Sequence, residues 1–155
     1  MQIHSLGLNI CEEEYSLIGI HTTLEDYKLA YVLNKNLGTR FYKSKEDLSF
    51  GKMKQQASFS IFNYSNKKYD FEWFLIANSS KRENQAVSNE LLLSSETKTY
   101  LIPEKKKVDF FVKITGNVKY SFVVETIQKI KTINQVITSY SIDKNTLKSK
   151  DFLIF

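Results

Sequence analysis

The sequence has one cysteine, Cys11, one proline, Pro103, and five glycines. A lone cysteine excludes an intrachain disulfide, and with it the small disulfide-stapled secreted scaffolds. Cys11 precedes Glu12-Glu13-Glu14; neighbouring carboxylates disfavour a thiolate, so it reads as structural and unreactive. A single proline argues against a proline-rich linker between domains. No two glycines are closer than Gly7 and Gly19, which excludes the glycine-rich phosphate cradles and leaves no G-x-S-x-G elbow. The two histidines, His4 and His21, show no metal-ligand spacing with Cys11, and the Glu12–Glu14 run reads as a solvated face. Arginine is nearly absent: of 22 basic residues only Arg40 and Arg82 are arginine, and arginine is the better reader of phosphates and bases. The longest apolar run, residues 73–77, is far short of the ~20 residues of a membrane span. Residues 1–6 contain no basic and then apolar leader pattern, so a reducing, cytoplasmic setting is expected.

What is present is the composition of a folded protein. Over 155 residues, 42% are hydrophobic, 25% charged and 14% aromatic, enough for one core without help from metal or disulfide. One domain over residues 1–155 is expected, ending in a short apolar tail at about 147–155. The net charge of +5 is uneven: residues 1–97 hold 11 basic against 12 acidic side chains, and residues 98–155 hold 11 against 5. A basic second half is an electrostatic footprint for a polyanion, or else a lysine-rich solvated surface.

Periodicity predicts the elements. Residues 16–21 read as a buried strand. Thr22 with Glu25, or Thr23 with Asp26, has capping-box spacing, opening a helix that runs to Leu37 and stops at Gly38. On its wheel Leu24, Tyr27, Leu29, Ala30, Tyr31, Leu33 and Leu37 fill half the circumference, predicting cover on more than one side. Residues 39–42 and 48–51 read as short strands. Residues 56–64 and 69–77 alternate as an antiparallel hairpin, with Trp73, Phe59 and Phe71 on its covered face. Residues 78–90 are polar and read as a loop, and residues 91–93 as a short strand. Residues 99–102 and 108–114 read as two strands joined by a turn, residues 118–133 as a helix buried through Phe122, Val123, Ile127, Ile130 and Ile133, and residues 136–142 as a last strand. The expected class is α+β: a mostly antiparallel sheet of about six strands with two helices packed against it.

The stretch Ile102-Pro103-Glu104-Lys105-Lys106-Lys107-Val108-Asp109-Phe110 resembles the signature of the bacterial IPExxxVDY family, with Phe110 where the family has tyrosine. Residues 17–20, 26–34 and 147–150 are also similar to that family, so the resemblance spans most of the chain. It implies a bacterial cytoplasmic protein and implies no activity and no cofactor. Physically, Pro103 lacks an N–H and suits a strand end at a turn. Glu104 can accept backbone N–H groups or pair with a lysine. Val108, Phe110, Val112 and Ile114 alternate to one face, leaving Asp109 on the other, where burial demands a partner.

Three function classes follow. The first is a small binding, adaptor or regulatory protein working through protein–protein contacts, with candidate binding residues Pro103, Glu104, Lys105, Lys106, Lys107 and Asp109, and Phe152 and Phe155 in the tail. The tail would be a docking segment or a final sheet-edge strand. The second is an RNA-binding module using the basic second half, with Tyr64, Lys67, Lys68 and Tyr69, or Phe111 and Lys113, as stacking and phosphate-contacting groups. The third is an enzyme of unstated reaction built on His21 beside Thr22, Thr23 and Asp26. No catalytic, cofactor-binding or metal-ligating residue is assigned.

Overall fold

The computed structural model describes residues 13–50, 57–83 and 96–155. In chain order the elements are β1 (Tyr15–Thr22), α1 (Asp26–Leu37), β2 (Tyr42–Lys43), β3 (Leu48–Phe50), β4 (Ala57–Phe59), β5 (Ile61–Asn66), β6 (Phe71–Ala77), β7 (Ser79–Glu83), β8 (Glu96–Tyr100), β9 (Phe110–Thr115), α2 (Tyr120–Lys131) and β10 (Val136–Ile142). Six strands form one antiparallel sheet in the order β10-β1-β9-β6-β5-β2, and β3–β4 and β7–β8 are separate two-stranded ribbons. The α+β class and the six-stranded sheet with two helices are as the periodicity predicts.

β9 lies inside the sheet, and all five residues from Phe110 to Ile114 are buried. Such a run is what a strand covered on both faces requires. Phe110, Val112 and Ile114 point to the helices, joining Ile18, Ile20, Leu33, Trp73, Ile127 and Ile130 in one core. Phe111 belongs to a second core with Leu17, Ile76, Ile102, Val108, Leu147 and Leu153. Among the described residues no α-helix lies in that second layer; the β3–β4 ribbon, the 102–108 turn and the C-terminal segment supply it.

Several local expectations are corrected. Neither capping box forms: the N-cap is Glu25, without a side-chain bond, because Thr22 Oγ1 donates to the Gln135 carbonyl at 2.7 Å and accepts from Leu24 N–H. α1 buries only Leu29, Ala30 and Leu33; Tyr27 and Tyr31 stay 58% and 67% exposed, so the wide apolar wheel is covered on one side. Phe59 and Trp73 lie in opposite cores, since the strand breaks at Ser60 between β4 and β5. Residues 79–83 are a strand, not a loop, and pair with β8. The predicted 99–102/108–114 hairpin is absent, because β8 pairs with β7 and β9 with β1 and β6. Val108 falls in the layer opposite Phe110. At Asp109 the backbone is irregular: its N–H donates to Ile20 on one side while its carbonyl accepts from Asn78 on the other, and alternation resets there. The strand expected at residues 91–93 lies outside the described residues.

Candidate binding cleft and the anchored motif

One concavity opens on the helix side of the sheet, between the C-terminal end of α1, one face of α2 and the β5–β6 hairpin. Its volume is about 450 Å³, and its lining includes Tyr64, Tyr69, Phe71, Trp73 and Phe122. Gly38 makes one wall possible. Its φ of 68° ends α1 in the left-handed region, and the chain doubles back so that Phe41 lies over the sheet. Asn34 then pins that reversal: its Oδ1 accepts from Phe41 N–H at 2.8 Å and from Thr39 Oγ1 at 2.9 Å, and its Nδ2 donates to the Phe41 carbonyl. The opposite wall comes from the hairpin turn, where Asp70 takes a positive φ of 57°, a conformation aspartate tolerates. Asn66 closes the turn by accepting from Tyr69 and Asp70 N–H on its carbonyl and from Lys68 N–H on its side chain.

The floor is a network of aromatic rings. Phe41, Tyr64 and Trp73 stand in a triangle with centroids 6.0–6.3 Å apart, and Phe122 meets Trp73 edge-on at 5.9 Å and 86°. These are favourable edge-to-face geometries. Phe122 was expected in the core, yet it remains 39% exposed, because Val123, Thr126, Ile127 and Ile130 form the buried stripe of α2. Gly116 lets Phe71 sit close, since a Cβ there would stand 3.1 Å from the ring. The polar rim consists of Asn66 and Lys129; Thr39 and Thr126 are buried, their hydroxyls donating to Asn34 Oδ1 and the Phe122 carbonyl.

The residues of the 102–110 stretch lie elsewhere. Asn78, fully buried at the end of β6, organises the turn. Its Nδ2 donates to the carbonyls of Lys105 (2.8 Å) and Val108 (2.9 Å), and its Oδ1 accepts from Ile102 N–H at 2.8 Å. Pro103 starts the short 3₁₀ turn Pro103–Lys105. Asp109 Oδ2 accepts from Thr22 N–H at 2.9 Å, tying the motif to the end of β1. Glu104 reaches the C-terminal segment, accepting from Ser149 N–H at 2.7 Å and from Ser149 Oγ at 3.0 Å. Lys106 and Lys107 are exposed, and Lys106 and Lys98 each stand over the Tyr100 ring, at 5.8 and 5.4 Å.

The C-terminal segment is not a sheet-edge strand. It runs through the 3₁₀ turns Lys144–Thr146 and Lys150–Leu153 and buries Leu147 and Leu153 on the second face of the sheet. Phe152 packs on Phe50 at 4.8 Å and Phe155 on Phe74 at 5.0 Å. Lys113, on β9, holds it from beneath. Its fully buried ammonium donates to the Leu153 carbonyl at 2.7 Å and to Glu13 Oε2 at 2.8 Å, with the rings of Tyr15, Phe74 and Phe155 around it. Lys113 and Phe111 are therefore interior residues, closed to nucleic acid.

The structure brings Glu104 of the motif to the tail and leaves Lys106 and Lys107 in solvent. It does not assemble the histidine constellation: His21 Nε2 pairs with the Tyr140 hydroxyl at 2.9 Å, whereas Asp26 accepts from Ser60 Oγ and Tyr27 N–H. Burial pushes the Tyr140 hydroxyl above its ordinary value of 10. Among the described residues no group of three or more His, Cys, Asp or Glu side chains could hold a metal ion, and no helix is long and apolar enough to cross a membrane. Sequence reasoning missed the cleft, although the close run of Tyr64, Tyr69, Phe71 and Trp73 was a visible signal. It also missed Asn78, which sits in a polar stretch.

Burial of the Glu104 carboxyl, the largest single influence, raises its pKa. The bonds from Ser149 N–H, its own N–H, Ser149 Oγ and Lys148 N–H together outweigh that, and it titrates below its ordinary 4.5. A folded-state pKa below the unfolded one stabilises above the unfolded value and is lost as pH falls through the folded value. The wild-type protein is therefore expected to melt above Glu104→Gln at pH 7, with the gap closing below about pH 4.5. Melting curves from pH 7 to 3 check this, and a gap that does not narrow on acidification contradicts it.

Comparison with protein-family models, with curated proteins and with solved structures finds no match for this chain.

Proposed function

We propose that this chain is a binding module that acts through protein–protein contacts, its aromatic cleft receiving an apolar anchor side chain of a partner segment. The observation that carries this reading is the Trp73 floor with Phe122 left half-open above it. Tryptophan and tyrosine in well-packed pockets are the residue types on which binding energy concentrates. The cleft is within the usual size for a specific pocket, roughly 300–1,000 Å³. The rim groups of Asn66 and Lys129 can hydrogen-bond a partner's backbone while the rings hold its side chain. The signature motif then has an internal task, fastening the second layer.

The test is nuclear magnetic resonance titration of the ¹⁵N-labelled protein with N-acetyl-phenylalanine amide, N-acetyl-leucine amide and, in parallel, adenosine monophosphate. The apolar amides are expected to shift the Trp73 indole N–H and the amides of Tyr64, Tyr69 and Phe122. Phe122→Ser should abolish those shifts and leave the remaining spectrum in place. No shift at these positions with either amide would overturn the reading. Equal or larger shifts with the nucleotide would transfer the cleft to the nucleic-acid class, where stacking on aromatics is the main contact.

A further inference from the structure

Three segments bring their lysines to one place. β8 carries Lys98, the turn that follows it carries Lys105, Lys106 and Lys107, and the C-terminal segment carries Lys148 and Lys150. Two contacts hold the segments together. Lys98 and Lys106 both stand over the Tyr100 ring, 5.4 and 5.8 Å from its centroid, so one ring gathers two ammoniums. Glu104 accepts from the N–H and the Oγ of Ser149, at 2.7 and 3.0 Å, which sets the chain at Lys148–Lys150 against the Lys105–Lys107 turn.

These charges are not neutralised within the described residues. The ion pairs there are those of Lys28, Lys43, Lys113 and Lys129, and none of the six lysines has a carboxylate partner among the described residues. Residues 98–107 and 147–151 hold these six lysines against two acidic residues, Glu104 and Asp151, and the Glu104 carboxylate is occupied by Ser149. Lys98, Lys106, Lys107 and Lys148 are exposed.

We infer that this surface is a nucleic-acid contact, binding the phosphate backbone of RNA or DNA without reading its sequence. Lysine is a point charge suited to phosphate, whereas carboxylates are matched best by the arginine fork, and none of the six cations is arginine. Protein–protein interfaces are depleted in lysine, and no large hydrophobic side chain of residues 98–107 is exposed. Nucleic-acid interfaces are polar and strongly positive. Cations spread over three segments suit a polymer with a phosphate at each nucleotide better than a single small anion. Contacts to phosphate position a strand and carry no sequence information, so binding that is indifferent to sequence follows. The inference is independent of the cleft, because the 102–108 turn and the C-terminal segment cover the opposite face of the sheet.

The experiment is fluorescence anisotropy of the full chain with labelled single strands of RNA and of DNA, about 20 nucleotides long and in unrelated sequences, from about 50 to about 200 mM salt. Micromolar binding is expected at the low end, alike for the sequences. The logarithm of the affinity should fall against that of salt with a slope of about −3, the value for about four phosphates of a single strand. Whichever of RNA and DNA binds tighter names the polymer, and either supports the inference. Lys106→Gln combined with Lys148→Gln, one change in each of two segments, should weaken binding at least about tenfold and flatten the slope. Lys35→Gln combined with Lys131→Gln removes equal charge from the two helices and should change binding less than about threefold. All four side chains are exposed, so circular dichroism should match the wild type. No binding at low salt overturns the inference, and so does equal binding by the two variants, which would mean that position is immaterial. Poly-L-glutamate or phosphatidylglycerol vesicles bound as tightly as the strands would assign the surface to an acidic protein or a membrane and overturn it as well.

Discussion

Asn78→Ala is expected to cost on the order of 2–6 kcal/mol, because two buried backbone groups, the Ile102 N–H and the Val108 carbonyl, lose their partner at about 1–3 kcal/mol each. The side chain is fully buried, and the Ile102 N–H and the Val108 carbonyl depend on it, while the Lys105 carbonyl also accepts from Val108 N–H. Its own backbone also joins Asp109 and Leu101, so the 101–109 turn is sewn to the end of β6 at both levels. Small domains hold roughly 5–15 kcal/mol in total, and this one substitution removes a large share. Urea unfolding followed by Trp73 fluorescence measures it, Trp73 being the chain's one tryptophan. Asn78→Asp should be at least as damaging, since it forfeits both donated bonds and buries a charge. A loss below about 1.5 kcal/mol for the alanine variant would mean that water or a shifted backbone replaces the side chain, and that the turn is not held as described.

The second large effect is at Lys113. Lys113→Ala should cost about 3–5 kcal/mol, the range found when one member of a buried ionic contact is removed. The Leu153 carbonyl loses its donor, and the space among Tyr15, Phe74 and Phe155 is left empty. Glu13 contributes less to the penalty, since its side chain is 36% exposed and can rehydrate while Lys113 is fully buried. Lys113→Met separates packing from charge. It refills the space among the rings and leaves chiefly the Leu153 carbonyl unpaired, for about 1–2 kcal/mol. Proteolysis should follow the same order, with the segment after Ile142 cut faster in the alanine variant than in the methionine variant. Equal losses for the two variants would show that the ring packing contributes nothing beyond the ammonium contact.

Together these positions explain the work of the 102–110 stretch. Ile102 and Val108 fill the second core, Asp109 fixes the end of β1, and Glu104 fastens the segment that Lys113 holds from below. Each conspicuous side chain of the motif except the exposed lysines has a partner within the chain. That leaves the helix-side cleft as a surface with unused capacity.

Residue order alone determined the α+β class, the two helices and most strands, because period-2 and period-3.6 patterns reflect burial against one neighbouring layer. It determined the stop of α1 at Gly38, since a left-handed residue there is a local requirement. Tertiary structure decided what local pattern cannot contain. Whether Tyr27 and Tyr31 are covered depends on a second layer over α1, and among the described residues none comes. Whether Phe122 is core or cleft depends on Trp73, a residue 49 positions away in sequence. The pairing of β8 with β7 instead of β9 follows from Asn78, whose side chain satisfies the turn that a hairpin would otherwise have closed. The tail became a covering segment because β9, buried on both faces, needed a lid on the side without helices. An ammonium in its path could be buried only by meeting a carboxylate and a main-chain carbonyl.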